Sequence, residues 1–199
     1  MKLGELKIEC AMHLFPNNKI PYASDDQSIL DTLDSLRSDP NLSDLMVTMT
    51  GALNRAITLI TVYGLTEKKR VDLSQSKWER VMGTYQTPID TKELFSVEWA
   101  GAPCEIIDGY LVLLSEEFPK YIIYRKKHPE ITQASSDLME LELSDALCHL
   151  IPIYVKGELY SLDSEERKQA QEEFKSLLAT YRDNISTLCH TVSQVYKGA

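Results

Sequence analysis

Cysteine beside histidine is the first pattern in this chain with chemistry in it: Cys148-His149 and Cys189-His190 are adjacent pairs, and Cys10 and His13 stand one helical turn apart. Thiolate and imidazole are ligands that suit zinc. Neighbours on a helix, however, point about a hundred degrees apart. No Cys-x-x-Cys occurs, and Cys148 and Cys189 fall on apolar stripes, where a free cysteine acts as a small buried hydrophobe. The expectation is therefore no metal and no cofactor. Ser74-x-x-Lys77 has the spacing in which a lysine activates a serine nucleophile, but the companion motifs of that enzyme class are missing. There is no Gly-rich phosphate loop, no His-Glu-x-x-His and no pair of carboxylates in an apolar setting, so no group is poised for acid–base or phosphoryl chemistry. A structural rather than enzymatic role is the expectation.

The chain has 199 residues, 43% of them hydrophobic, enough to bury a core and most simply to form one domain. Its formal net charge of -9 argues against a nucleic-acid coat, because duplex binding draws its affinity from Lys and Arg neutralising phosphates. An acidic wall suits a channel through which DNA passes without being held. Four scattered cysteines and an amino terminus without a basic segment and apolar run predict a protein made in a reducing cytosol. No uninterrupted apolar run of membrane-spanning length is read from the sequence.

The elements follow from hydrophobic periodicity. Leu3, Leu6, Cys10 and His13 lie on one stripe of a short helix that Pro16-Asn17-Asn18 stops. Ser24-x-x-Gln27 reads as a capping box for a second helix, ending near Asp39-Pro40. Ser43 is the expected cap of a third, whose Leu45, Met46, Met49, Leu53, Ile57, Ile60 and Tyr63 form a buried face up to Gly64. From Arg70 to Tyr124 the period changes to two: Val71 and Leu73, then Phe95, Val97 and Trp99, then Ile106 and Ile107, then Leu111 to Leu114. Ala100-Gly101 and Asp108-Gly109 sit at the expected tight turns. Gln75 to Glu93 fits either a helical turn or an extended loop. After a polar linker, Gln133 to Asp137, Ser144 caps a helix that Pro152 must kink or divide. Asp163-Ser164 opens the last helix, where Phe174, Leu177, Leu178, Tyr181, Ile185, Leu188, Val192 and Val195 make a near-heptad stripe. The expected fold is mainly α with a small antiparallel β-sheet inserted, a helical bundle plus a β-hairpin subdomain. Its parts are residues 1–64 helical, 65–131 β-rich and 132–199 helical.

A final helix on the order of 45 Å long exceeds the reach of a domain whose radius of gyration is roughly 16 Å. Either the helix folds back in two or packs fully within its own domain, or part of its stripe meets another chain, which makes Phe174, Leu177, Tyr181, Leu188 and Val192 candidate interface residues. The concentrated positive charge, Lys68-Lys69-Arg70 and Arg125-Lys126-Lys127-His128, is solvated, or contacts a phosphate or an acidic protein, or is aimed at the carboxylates of a neighbouring copy. Tyr154 and Tyr160 are expected in the core.

The stretch from Tyr121 to Tyr181 carries a resemblance. A strand, Tyr121-Ile-Ile-Tyr124, meets the basic Arg125-Lys126-Lys127 and then Pro129-Glu-Ile-Thr132. An acidic Leu-x-Leu-x-Asp helix start follows, and then Pro152-Ile-Tyr154-Val155-Lys-Gly-Glu158-Leu159-Tyr160. In this order the chain resembles the head-tail connector (adaptor, or head-completion) proteins of tailed bacteriophages. The likeness covers the C-terminal two fifths and, more loosely, Met1-Lys-Leu-Gly-Glu-Leu-Lys-Ile and Gly51-Ala-Leu-Asn54-Arg55. It implies a virion structural protein made in the bacterial host cytoplasm. Copies would assemble head to tail into a ring beneath the portal protein, extending the DNA exit channel and recruiting tail components, with DNA passing without sequence-specific binding and no membrane involved. The final helix is then the portal-facing or neighbour-facing element, and the Cys104 to Tyr124 hairpin the tail-facing one. The rival reading is a non-viral cytosolic helical scaffold or regulatory module that pairs through its C-terminal heptad stripe.

Overall fold

Met46, Met49, Ala52, Leu53, Ala56, Ile57 and Ile60 recur at helical spacing, and in the computed structural model all are buried along one face of α3 (Ser43–Val62). The structure describes residues 1–23, 25–40, 42–159 and 165–197, and side chains as far as Ile185 apart from Trp99. Two compact units divide the chain: residues 1–65 with 130–199, and residues 66–129.

The first unit is helical. Around α3 stand α1 (Leu3–Leu14), α2 (Asp26–Ser38), the single turn α4 (Asp145–Cys148), α5 (Ile151–Leu159) and α6 (Glu165–Lys197). α5 lies against α1, α3 and α6, and α2 against α1 and α3. One core joins Leu3, Leu6, Ile29, Leu33, Leu53, Ile60, Ile151, Val155, Phe174 and Leu178, among others. Burying each large apolar side chain contributes about 1.5–3 kcal/mol. α3 alone is long and apolar enough, among the described residues, to cross a membrane; its apolar face is the centre of this core, which accounts for the composition.

The second unit is a pair of antiparallel sheets. β1 (Lys68–Asp72), β7 (Tyr121–Lys126) and β4 (Leu94–Trp99) form one in the order β1-β7-β4. The other, in the order β2-β3-β6-β5, is built from β2 (Glu79–Val81), β3 (Thr84–Pro88), β6 (Tyr110–Leu113) and β5 (Cys104–Ile107). Inward residues of both, including Ile122 and Tyr124 on the first and Leu111, Cys104 and Ile106 on the second, share one small core.

This corrects the expected fold class. The protein is a mixed α/β fold, 45% helical and 19% strand, and not a mainly helical bundle with a hairpin. The error lies in residues 75–93, where β2 and β3 pair through a two-residue turn, Met82-Gly83. Both turn residues have positive φ, 49° and 89°, as the tight hairpin turn requires. Asp108-Gly109 makes the same turn between β5 and β6, at 49° and 83°, where the sequence predicts it.

Helix boundaries show smaller differences. Asp25, whose carboxylate accepts from Ser28 N at 3.0 Å, is the cap of α2; Ser24, the residue expected there, lies outside the described residues. Ser43 is the first residue of α3 rather than its cap. Pro152 divides the helix rather than kinking it, for it falls at the second position of α5, where its missing N–H has no partner to lose. Asp163, Ser164 and Tyr160 lie outside the described residues.

Candidate functional site

The motifs that carry the resemblance hold one another in the helical unit. Asn54 on α3 treats Ile131 as a strand partner would: its Nδ2 donates to the Ile131 carbonyl at 2.7 Å and its Oδ1 accepts from the Ile131 N–H at 2.9 Å. The next residue, Arg55, reaches Glu158 of α5 at 3.1 Å. The same carboxylate, 10% exposed, also accepts from Arg167 at 3.0 Å and Gln171 at 3.1 Å on α6. α3, α5 and α6 are thus tied at one buried acid whose charge two guanidiniums match, the condition under which burying a carboxylate is tolerated. Beside it Gly157 faces Ala170 so closely that a Cβ on the glycine would stand 2.5 Å from the Ala170 Cβ. A second tie fixes the segment between the β unit and α4. Asp137 receives Lys7 Nζ of α1 at 2.8 Å and pairs also with Arg37 of α2. Its carbonyl accepts from Gly4 N at 2.7 Å. Burial pushes the Asp137 carboxyl up, but the hydrogen bonds from Lys7 and Arg37 overcome this and hold it below the usual carboxylate range.

Of the expected interface residues, Phe174 is fully buried in its own unit, its ring 5.2 Å from that of Tyr154. Tyr154 is in the core, as expected. Leu177 is half-buried, and Tyr181 packs against the core with its hydroxyl 3.2 Å from Ser144 Oγ. Residues 182–184 are exposed and Ile185 is 42% exposed, while α6 runs on unbroken to Lys197. The side chains of Leu188 and Val192 lie outside the described residues.

The basic residues are engaged within their own sheet. Arg125 is buried, with Nε 2.9 Å from Glu98 and Nη1 2.8 Å from the Thr66 carbonyl. Glu98, which also meets Lys68 at 3.5 Å, is held below the usual carboxylate range chiefly by the Arg125 hydrogen bond. Lys69 pairs with Glu93 at 2.9 Å, and Arg70 stacks on the Tyr121 ring at 3.9 Å. Lys126 is half-buried, its N–H bonded to the Glu67 carbonyl, and Lys127 is exposed. Residues 66–129 carry ten Lys and Arg against ten Asp and Glu, so the whole net charge of -9 belongs to the helical unit.

The residues with chemical potential are not brought together. Cys10 and Cys148 are buried, and burial pushes the Cys148 thiol up to about 11. His149 Nδ1 meets Glu9 at 2.9 Å. Among the described residues no group of three or more ligating side chains could hold a metal. Ser74 closes a turn on Asp72, its N–H 2.8 Å from the carboxylate. A cleft of about 380 Å³ lies beside α1; on its wall Met1 N pairs with Asp145, Lys2 pairs with Asp26 of α2, and His149 Nδ1 meets Glu9.

No protein-family model matches the chain, and a search of curated proteins finds no match.

Proposed function

We propose that the chain is a ring-forming head-tail connector of a tailed bacteriophage, a structural protein of the virion that sits between portal and tail and extends the DNA exit channel. One observation carries the reading beyond motif likeness. Among the described side chains the 33-residue α6 packs against its own core as far as Tyr181, Ile185 is 42% exposed, and the helix runs on to Lys197. The sequence continues the heptad stripe past Ile185 with Leu188, Val192 and Val195, and apolar surface that is exposed, as Ile185 is, is covered favourably by a second molecule. Asn54, Arg55 and Glu158, which the resemblance places in motifs, have a consistent role as the rigid frame from which α6 projects.

The test is light scattering coupled to size exclusion on the full chain, alone and with a candidate portal protein. Portal binding that Ile185→Glu abolishes, with helicity and thermal stability unchanged, is the expected result. A wild-type chain that stays monomeric or dimeric and ignores the portal favours the non-viral scaffold instead.

A further inference from the structure

The ring reading leaves open how one copy meets the next, and the four-stranded sheet supplies a geometry for it. Its edges are β2 and β5. In a tight two-residue hairpin the residues flanking the turn exchange both backbone hydrogen bonds, and this pairing alternates along the strands. Val81 faces Thr84 and Ile107 faces Tyr110 across the two turns. Glu79, Val81, Glu105 and Ile107 therefore bond inward, while Arg80 on one edge, and Cys104 and Ile106 on the other, turn their N–H and C=O groups outward.

Exposed edges of this kind are normally blunted by bulges, cations or proline. In the three-stranded sheet both edges are treated so: β4 carries two register shifts and β1 opens with Lys68, Lys69 and Arg70. β5 has a continuous register from Cys104 to Ile107, no bulge and no cation. Its Ile107 is 48% exposed, and Val81 of β2 is 40% exposed on the same sheet face. With four strands alternating in direction, β5 and β2 run oppositely, so β5 of one copy meets β2 of the next in the antiparallel sense the sheet already has.

From this we infer that neighbouring copies join edge to edge, β5 of one pairing antiparallel with β2 of the next, Ile106 opposite Arg80, so that the four-stranded sheet runs on from subunit to subunit. The inference rests on the ring-forming reading. The occupant of each edge is a second copy for two reasons. The two edges are different and complementary in direction, which generates a head-to-tail rather than two-fold contact. The contact also uses the one unit without net charge, so copies that each carry -9 approach where repulsion is least. Strand addition of this kind takes its affinity from main-chain hydrogen bonds.

In this register Val81 of one copy faces Glu105 of the next as a close, non-hydrogen-bonded pair. Within one chain the two positions lie three strand spacings apart, about 14 Å, beyond the reach of a disulfide. The full chain carrying V81C and E105C is therefore oxidised at high concentration and run on a non-reducing gel. The expected result is a ladder of covalent multimers beyond the dimer, lost when Ile106→Pro is added. That proline removes an outward N–H and none of the sheet's own hydrogen bonds, but it also takes an apolar side chain from the small core, so an unchanged far-UV circular dichroism spectrum is the required control for folding. E105C alone giving a dimer and no ladder would show two-fold pairing and overturn the inference. Large wild-type oligomers in light scattering without any V81C/E105C ladder would overturn edge pairing while leaving the ring. A wild-type chain that never assembles, even with a portal protein, removes both.

Discussion

Lys7 sits on the buried side of α1, 4% exposed, and its ammonium is matched by Asp137, whose side chain is 9% exposed. Asp137→Ala leaves that ammonium buried with its counter-charge gone and takes from Arg37 one of its two carboxylates, leaving Asp34. Removing one partner of a buried pair costs about 3–5 kcal/mol, which for a chain of this length lowers the melting temperature by roughly 6–20 °C. Urea unfolding followed by far-UV ellipticity measures it, since the helices are the pair's own elements. Lys7→Met with Asp137→Leu replaces both ions by apolar groups of similar size, and the double variant is expected to be more stable than Asp137→Ala alone. The carboxyl is held below its unfolded value, so the unfolded chain binds the proton more readily. The stabilisation is complete above the unfolded value of about 3.9 and disappears as pH falls through the folded one. Asp137→Asn is expected to flatten that acid limb. An Asp137→Ala variant within about 0.5 kcal/mol of the wild type, or an acid limb unchanged in Asp137→Asn, would refute the reasoning.

Three other sites give independent checks. Gly157→Ala places a Cβ against Ala170 and the Arg167 carbonyl and is expected to destabilise by about 1–3 kcal/mol through overpacking; a stabilised variant in urea unfolding, as helix propensity alone would give, contradicts the close approach. Asn54→Ala removes both hydrogen bonds to Ile131 and is expected to cost about 1–3 kcal/mol, read as the urea midpoint, with an unchanged midpoint counting against the tie. In alkylation of the native protein followed by mass spectrometry, the half-buried Cys104 reacts ahead of the buried Cys10 and Cys148, whose thiols burial pushes upward; early labelling of Cys148 contradicts its burial.

Periodic features were legible in the sequence and long-range polar ones were not. The stripe of α3, the Asp108-Gly109 turn and the break at Pro152 each follow from local chemistry: helical spacing, two positive φ angles, a missing N–H. The β2–β3 hairpin gives no such signal. Methionine is not a turn residue, and Glu79, Arg80, Thr84 and Gln86 make its strands look like loop. A strand that leaves its outer face to solvent and contributes only Tyr85 and Thr87 inward shows little apolar alternation. The buried ties join residues 77 positions apart in Asn54–Ile131 and 130 in Lys7–Asp137, and no local pattern pairs such positions. Lys7 in particular interrupts an apolar stripe, and a lone lysine there reads as solvated until its partner is seen. The basic residues at the end of β7 illustrate the opposite error. Arg125 reads as part of a free patch because its carboxylate partner, Glu98, lies on β4, whose pairing with β7 the sequence does not announce.

The central claim, that α6 beyond Tyr181 meets another molecule, is tested most directly by the mass of the species that forms when the full chain is mixed with a portal protein, measured by light scattering for the wild type and Ile185→Glu. The account predicts a portal complex for the wild type and, for the variant, a folded chain that does not join the portal. Identical behaviour of the two toward the portal contradicts it.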